Sequence, residues 1–134
     1  MESQVEGYFR NVDDNLIVCR KKNHTNVNKF LDKFNSMIPS TKFTLEQEQD
    51  NRINFLDITI IKNQDKLSLD IHRKPTTTDT VIDNDSCHPL EHKLAAIRYF
   101  SKRIGTYNLD HVSKQKESNT LKQIILNNKY DVSV

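Results

Sequence analysis

The spacing of apolar and polar positions changes period several times along this chain, and each change predicts an element. Tyr8–Val12 and Leu16–Cys19 are β-prone runs flanking a polar Asp13-Asp14-Asn15 turn, the pattern of a tight hairpin. Val27, Phe30, Leu31, Phe34 and Ile38 then fall at i, i+3, i+4, i+7 and i+11, which predicts a helix with one apolar stripe. Thr25 or Asn26 can cap its start, and Pro39 forbids continuation beyond Ile38. Phe43 and Leu45 alternate with polar neighbours in Lys42–Glu46, a short strand. Ile53–Ile61 is apolar on both faces and predicts a central strand. Asn63-Gln64-Asp65 turns it into a further strand, with Leu67, Leu69 and Ile71 on one side and Ser68, Asp70 and His72 on the other. Antiparallel strands with one packed helix make an α+β layer.

At Pro75 the pattern is lost. Thr76–Asp85 is polar, β-branched and without period, which predicts a linker or extended arm. His88-Pro89 opens a second helical region, with Pro at the first helical position and His88 as the cap. Leu90, Leu94, Ile97 and Ile104 mark its apolar stripe, Phe100 lies at the edge, and Gly105 is placed to end it. Arg98 and Lys102 lie one turn apart on a flank, and His92, Tyr99 and Arg103 share the opposite face. A weaker segment covers Asp110–Lys116, and a last helix turns Leu121, Ile124 and Ile125 inward. The expected organisation is residues 1–75 as an α+β part and residues 76–134 as an arm with a small helical array, possessing helix-turn-helix character.

Composition narrows the function classes. A chain of 134 residues with 28% charged and 35% apolar side chains suits a single globular domain or a piece of a larger protein. No apolar run reaches membrane-spanning length, and the first residues have neither the basic region nor the apolar core of a signal peptide. Cys19 and Cys87 are too few and too far apart for a disulfide framework, which fits a reducing, intracellular compartment. The net charge of +2 conceals a mild asymmetry: residues 66–134 carry 11 basic and 8 acidic side chains, residues 1–65 carry 9 and 10. That excess is too small to establish a nucleic-acid partner by itself.

Three sets of residues could carry chemistry. Asp13 and Asp14 would project from a hairpin tip, where carboxylates can gather a hard cation such as magnesium; the other reading is a solvated turn. His92, Lys93, Arg98, Lys102 and Arg103 could line a nucleic-acid groove or form a solvated helix face. Cys87, His88 and His92 have partial zinc spacing, but no fourth ligand is evident. No nucleophile, base and orienting group can be assembled around either cysteine.

Taken in order, several stretches resemble the second half of a reverse transcriptase, most closely that of Penelope-like retroelements. They are Phe9-Arg10-Asn11-Val12-Asp13-Asp14, Phe30-Leu31-Asp32 to Asn35-Ser36, Lys42-Phe43-Thr44, Asn54-Phe55-Leu56-Asp57-Ile58, Arg73-Lys74-Pro75-Thr76-Thr77-Thr78-Asp79, and His88-Pro89-Leu90-Glu91-His92-Lys93. Leu126-Asn127-Asn128-Lys129-Tyr130 resembles the family's Asn-Gly-Tyr segment. The resemblance implies a partial palm followed by a thumb-like helical segment. It makes Asp13 and Asp14 the catalytic, magnesium-binding pair, with Asp13 the direct ligand, and Phe55-Leu56 part of the hairpin that grips the primer strand. Arg73 and Lys74, at the palm-to-thumb junction, would meet phosphates. Lys93, Arg98, Lys102 and Arg103 would extend that nucleic-acid surface. The chain departs from the family pattern at Asn11, where Tyr is usual, and at Thr77, Thr80 and Val81 in the arm.

Polymerase catalysis also needs a third carboxylate and fingers from an earlier part of such an enzyme. The expectation is therefore a fragment of an RNA-directed DNA polymerase, lacking the N-terminal polymerase half and inactive alone, using Mg2+ only within a complete enzyme. Its partners would be an RNA template–DNA primer hybrid or DNA, with no membrane. It would be nuclear if it acts on chromosomal DNA. The alternatives are a non-catalytic helix-turn-helix-like nucleic-acid-binding domain and an unfunctional gene remnant.

Overall fold

The computed structural model describes residues 5–20 and 27–133. The fold is α+β, with two antiparallel sheets and three helices among the described residues. Two compact units divide it, residues 1–50 and 51–134. The proposed caps Thr25 and Asn26, and Lys21–His24 of the basic loop, lie outside the described residues.

In the first unit, β1 (Val5–Asn11) and β2 (Asp14–Cys19) form the expected hairpin, with Phe9 opposite Leu16 and Asn11 opposite Asp14. Tyr8 Oη donates to Asn15 Oδ1 across the strands at 2.7 Å. The stripe from Val27 to Phe34 forms α1 (Val27–Met37), which ends two residues before Pro39. Lys42–Glu46 is not a strand. Asn35 of α1 takes over the pairing that a neighbouring strand would supply: its Oδ1 accepts from Phe43 N at 2.6 Å and its Nδ2 donates to Phe43 O at 3.3 Å. The Phe43 ring packs edge-on against Phe34, 5.6 Å between centroids. With backbone and ring both satisfied by α1, the segment has no need of a ladder.

The second unit contains β3 (Arg52–Phe55), β4 (Ile58–Asn63) and β5 (Lys66–Ile71) in the order β3-β4-β5. The single strand expected over Ile53–Ile61 is thus a hairpin, folded at Leu56-Asp57. Its register places Ile53 opposite Ile60 and Phe55 opposite Ile58, and Ile58 and Ile60 face Ile71 and Leu69 of β5. Those six side chains share one apolar face of the sheet, while Asn54, Thr59, Ser68 and Asp70 share the other. All three hairpins turn in two residues of the form X-Asp, and X alone has positive φ: Val12 (48°), Leu56 (56°) and Gln64 (49°). That sign pattern belongs to type II′ turns, which match strand twist but favour glycine at this position.

Two helices complete the unit, α2 (Leu90–Thr106) and α3 (His111–Asn127). Both differ from the sequence expectation. The cap of α2 is Pro89 rather than His88, and Gly105 lies inside the last turn. Leu90 is exposed, and the buried residue of this helix is Arg103, so the inward face is rotated from the apolar stripe. The weak segment and the last helix are one element. Asp110 caps it by accepting from Ser113 N at 2.7 Å, which starts α3 ten residues before Leu121. Its inward ridge is Ser113, Glu117, Leu121 and Ile124, at i, i+4, i+8 and i+11. Ile71, Leu109, Leu121, Ile124 and Tyr130 form the buried apolar core, and Leu109 extends the sheet through a parallel bridge to Leu69.

The expected linker at 76–85 is a docked arm. Asn128 is buried; its side chain accepts from Val81 N at 3.2 Å and donates to Asp79 O at 3.2 Å and Ile124 O at 2.8 Å. Asn84 N donates to Asn128 O at 3.0 Å, and Tyr130 Oη donates to Ile82 O at 2.5 Å. Lys129 Nζ meets Asp85 at 2.9 Å and Asp83 at 3.4 Å. Aperiodic sequence is what such an arm requires, because its backbone is satisfied by side chains from elsewhere rather than by its own repeat.

Candidate carboxylate hairpin and nucleic-acid interface

The β1–β2 turn puts Asp13 at the hairpin tip and Asp14 at the first position of β2. Both are exposed and neither has an ion-pair or hydrogen-bond partner among the described residues. Val12, 76% exposed, precedes them at φ 48°. A β-branched side chain is an outlier there, since its Cβ crowds the following carbonyl. Among the described residues no group of three or more His, Cys, Asp and Glu side chains could hold a metal ion, so the tip offers a pair of carboxylates and no cage. Cys87 is exposed and free, and no such group includes it with His88 and His92.

Phe55 is half-buried at the end of β3, and Leu56 is exposed at the β3–β4 tip. The residue after them fixes that tip in place. Asp57 O accepts from His72 N at 2.9 Å, and Asp57 Oδ2 accepts from Tyr107 Oη at 2.8 Å. The same oxygen lies 3.8 Å from Arg103 Nε. The Tyr107 hydroxyl is pushed above its ordinary pKa by that bond to Asp57 and by burial.

Arg103 occupies an aromatic cage. Its guanidinium carbon lies 5.5 Å from the Tyr99 ring centroid and 5.9 Å from those of Phe100 and Tyr107. Nε and Nη2 are buried without a hydrogen-bond acceptor among the described residues. Cation–π attraction and the nearby Asp57 carboxylate offset the desolvation of this charge. The sequence reading sets Arg103 on a face with His92 and Tyr99, lining a nucleic-acid groove or solvated; it is instead a core residue holding the β3–β4 tip against α2.

The other basic residues separate into two groups. Arg73 is bonded to the buried Glu117, lies 3.6 Å from Asp79 and sits 6.0 Å from the Phe100 centroid. Lys93 Nζ donates to Asn84 O at 2.7 Å, binding α2 to the arm. Arg98 pairs with Glu91 on the surface. Lys74 and Lys102 are exposed and without a partner among the described residues, as are Lys114 and Lys122 on α3. The sequence reading did not assign the two α3 lysines. The signal was available: between Ser113 and Asn127 the only acid is Glu117.

Residues 80–134 match the animal helix-turn-helix domain. The match begins where the arm becomes bonded to Asn128 and covers both α2 and α3. A helix-turn-helix domain suggests nucleic-acid binding. No curated protein and no solved structure matches the chain. No helix among the described residues is long and apolar enough to cross a membrane.

Proposed function

We propose that this chain is a nucleic-acid-binding segment of a retroelement reverse transcriptase of the Penelope-like kind. In this reading the β1–β2 hairpin carries the metal-binding carboxylates Asp13 and Asp14, and the β3–β4 tip with Phe55 and Leu56 faces the primer strand. Lys74 and Lys102 contribute contacts to the phosphate backbone. The observation that carries the reading is the strained turn at Val12. Backbone strain at a β-branched residue persists where the position of neighbouring groups matters, and here those groups are two unpaired carboxylates at an exposed tip. Magnesium is held by one or two carboxylates together with substrate phosphates, so an open pair suits a site that the substrate completes.

Calorimetry tests the carboxylates. Magnesium should bind weakly, because the pair supplies few of the ligands an octahedral ion requires, and Asp13→Asn should remove most of that binding. Micromolar affinity unaffected by Asp13→Asn would contradict the assignment. Affinity for an RNA–DNA hybrid should fall steeply with salt, and Lys74→Gln with Lys102→Gln should reduce the slope by about two.

A second reading, a non-catalytic helix-turn-helix DNA-binding protein, is favoured by the domain match over residues 80–134. It differs in requiring nothing of Asp13: nucleic-acid binding unchanged by magnesium and by Asp13→Asn would select it.

A further inference from the structure

We propose that a slot beside the last turns of α2 binds one unpaired guanine base of a single-stranded nucleic acid. The inference rests on nucleic-acid binding by the second unit, names the form bound there, and does not require the polymerase reading.

The period of the helix builds the slot. Tyr99, Lys102, Arg103 and Thr106 fall at i, i+3, i+4 and i+7 on one face of α2, and Tyr107, the extended residue that ends the helix, adds a second ring. These residues line a slot of about 200 Å³. Sites for drug-sized ligands run to roughly 300–1,000 Å³, so this one has room for a single ring system. Arg103 is the reason to expect an occupant. It is 8% exposed, and its Nε and Nη2 are buried without an acceptor among the described residues. Asp57 Oδ2 lies 3.8 Å from Nε, beyond hydrogen-bond reach, and already accepts from Tyr107 Oη at 2.8 Å. Buried donors left unmade are costly, and a ligand edge carrying acceptors would complete them. Tyr99 is the wall that gives way: it is 52% exposed, and its hydroxyl lies 3.5 Å from Asp57 Oδ2, the outer limit of a hydrogen bond. Swung aside, its ring offers a face on which a base stacks.

Charge and depth then select the ligand. The Asp57 carboxylate beside the guanidinium opposes a second anion, which disfavours a phosphate in the slot and favours a neutral group with acceptors. A recessed arginine does not reach into the groove of a duplex, so the base must leave its stack to meet it. Guanine places two acceptors, O6 and N7, side by side to match the guanidinium fork, whereas adenine and cytosine put an amino donor on that edge and thymine a methyl group. Lys102 is exposed, and its ammonium has no partner among the described residues. It stands at the rim of the slot, where the phosphate of the same nucleotide would pass and be held without regard to sequence.

The test titrates the full chain with labelled oligothymidine strands that carry, at one central position, guanine, an abasic site or 7-deazaguanine, which lacks N7. The guanine strand should bind about tenfold more tightly than the abasic one, and 7-deazaguanine should lose most of that gain. Pairing the same guanine in a duplex should abolish its advantage, and inorganic phosphate at matched ionic strength should not displace the guanine strand. Tyr99→Ala should remove the preference for guanine, Tyr99→Phe should keep it, and Lys102→Gln should weaken the guanine and abasic strands alike. The comparisons that change only the oligonucleotide decide the matter even where a variant at Tyr99 fails to fold. Equal affinity for the guanine, 7-deazaguanine and abasic strands overturns the slot, and so does displacement by phosphate. If the strands then bind alike, with affinity that falls steeply with salt, nucleic-acid binding stands while this inference fails. If neither the strands nor an RNA–DNA hybrid binds, both fail.

Discussion

Glu117 and Arg73 show how much a single pair can hold in this protein. Glu117 is the acid of α3, buried, and Arg73 follows directly on β5 and His72, so their bond joins the end of the sheet to the middle of the helix. Removing Arg73 leaves Glu117 buried and unpaired. Arg73→Ala should therefore lower stability by about 3–5 kcal/mol in urea unfolding, whereas Arg73→Met combined with Glu117→Met should recover most of it. Titration makes a second prediction at this scale. The Ser113 backbone N–H holds the Asp110 carboxyl below its ordinary pKa, and the Asp85 backbone N–H does the same for Asp83. Their stabilisation is present above the unfolded carboxylate pKa and is lost as pH falls through the lower folded values. Tyr107 is raised by its bond to Asp57, Tyr130 by burial, and Lys129 by Asp85 and Asp83. Those contributions are complete below the unfolded pKa values and are lost as pH rises through the folded ones. Stability should be flat near neutrality and fall below about pH 4 and above about pH 10. Asp110→Asn, which keeps an N-cap acceptor, should flatten part of the acid limb in a pH series of thermal melts.

Elements differ in how openly the sequence announces them. The α1 stripe and the first hairpin follow from period and turn composition, and both are present. The Leu56-Asp57 turn is hidden because its positive-φ residue is a leucine rather than a glycine or asparagine, which leaves Asp57 as the one turn-forming residue between two β-prone stretches. Lys42–Glu46 alternates like a strand, yet Asn35 is its partner, and a side chain eight residues away leaves no trace in alternation. Arg103 defeats the stripe of α2 for a related reason: its counter-charge Asp57 and its cage ring Tyr107 come from outside that helix. Of the candidate site, the carboxylate turn was legible from composition. The fate of each basic residue was not, since it depends on partners brought close only by folding. The same turn yields a prediction. Val12→Gly should relieve backbone strain of about 1 kcal/mol and slow amide exchange in the hairpin.

Across the whole molecule, burial is uneven. None of the described residues of the first unit is buried, whereas the second has a core centred on the fully buried Ile124. Amide exchange should accordingly be fast through residues 5–20 and slowest in α3 around Ile124. Asn128 is the other measure of that core. Asn128→Ala leaves Val81 N without its acceptor and Asp79 O without its donor, and should cost about 1–3 kcal/mol in urea unfolding.

The docked arm also sets an order of events during synthesis. Its bonds join positions 44 to 49 residues apart, from Asp79, Val81, Ile82 and Asp85 to Asn128, Lys129 and Tyr130. At a translation rate of about 5–20 residues per second, the arm emerges seconds before the residues that receive it. During that interval Asp79 O, Val81 N and Ile82 O lack the partners they have in the finished fold, and closure must bring together ends separated by the whole of α2 and α3. Asn128–Tyr130 thus complete the helical half, and a nascent chain stalled before Asn128 would present an open arm to proteases and chaperones.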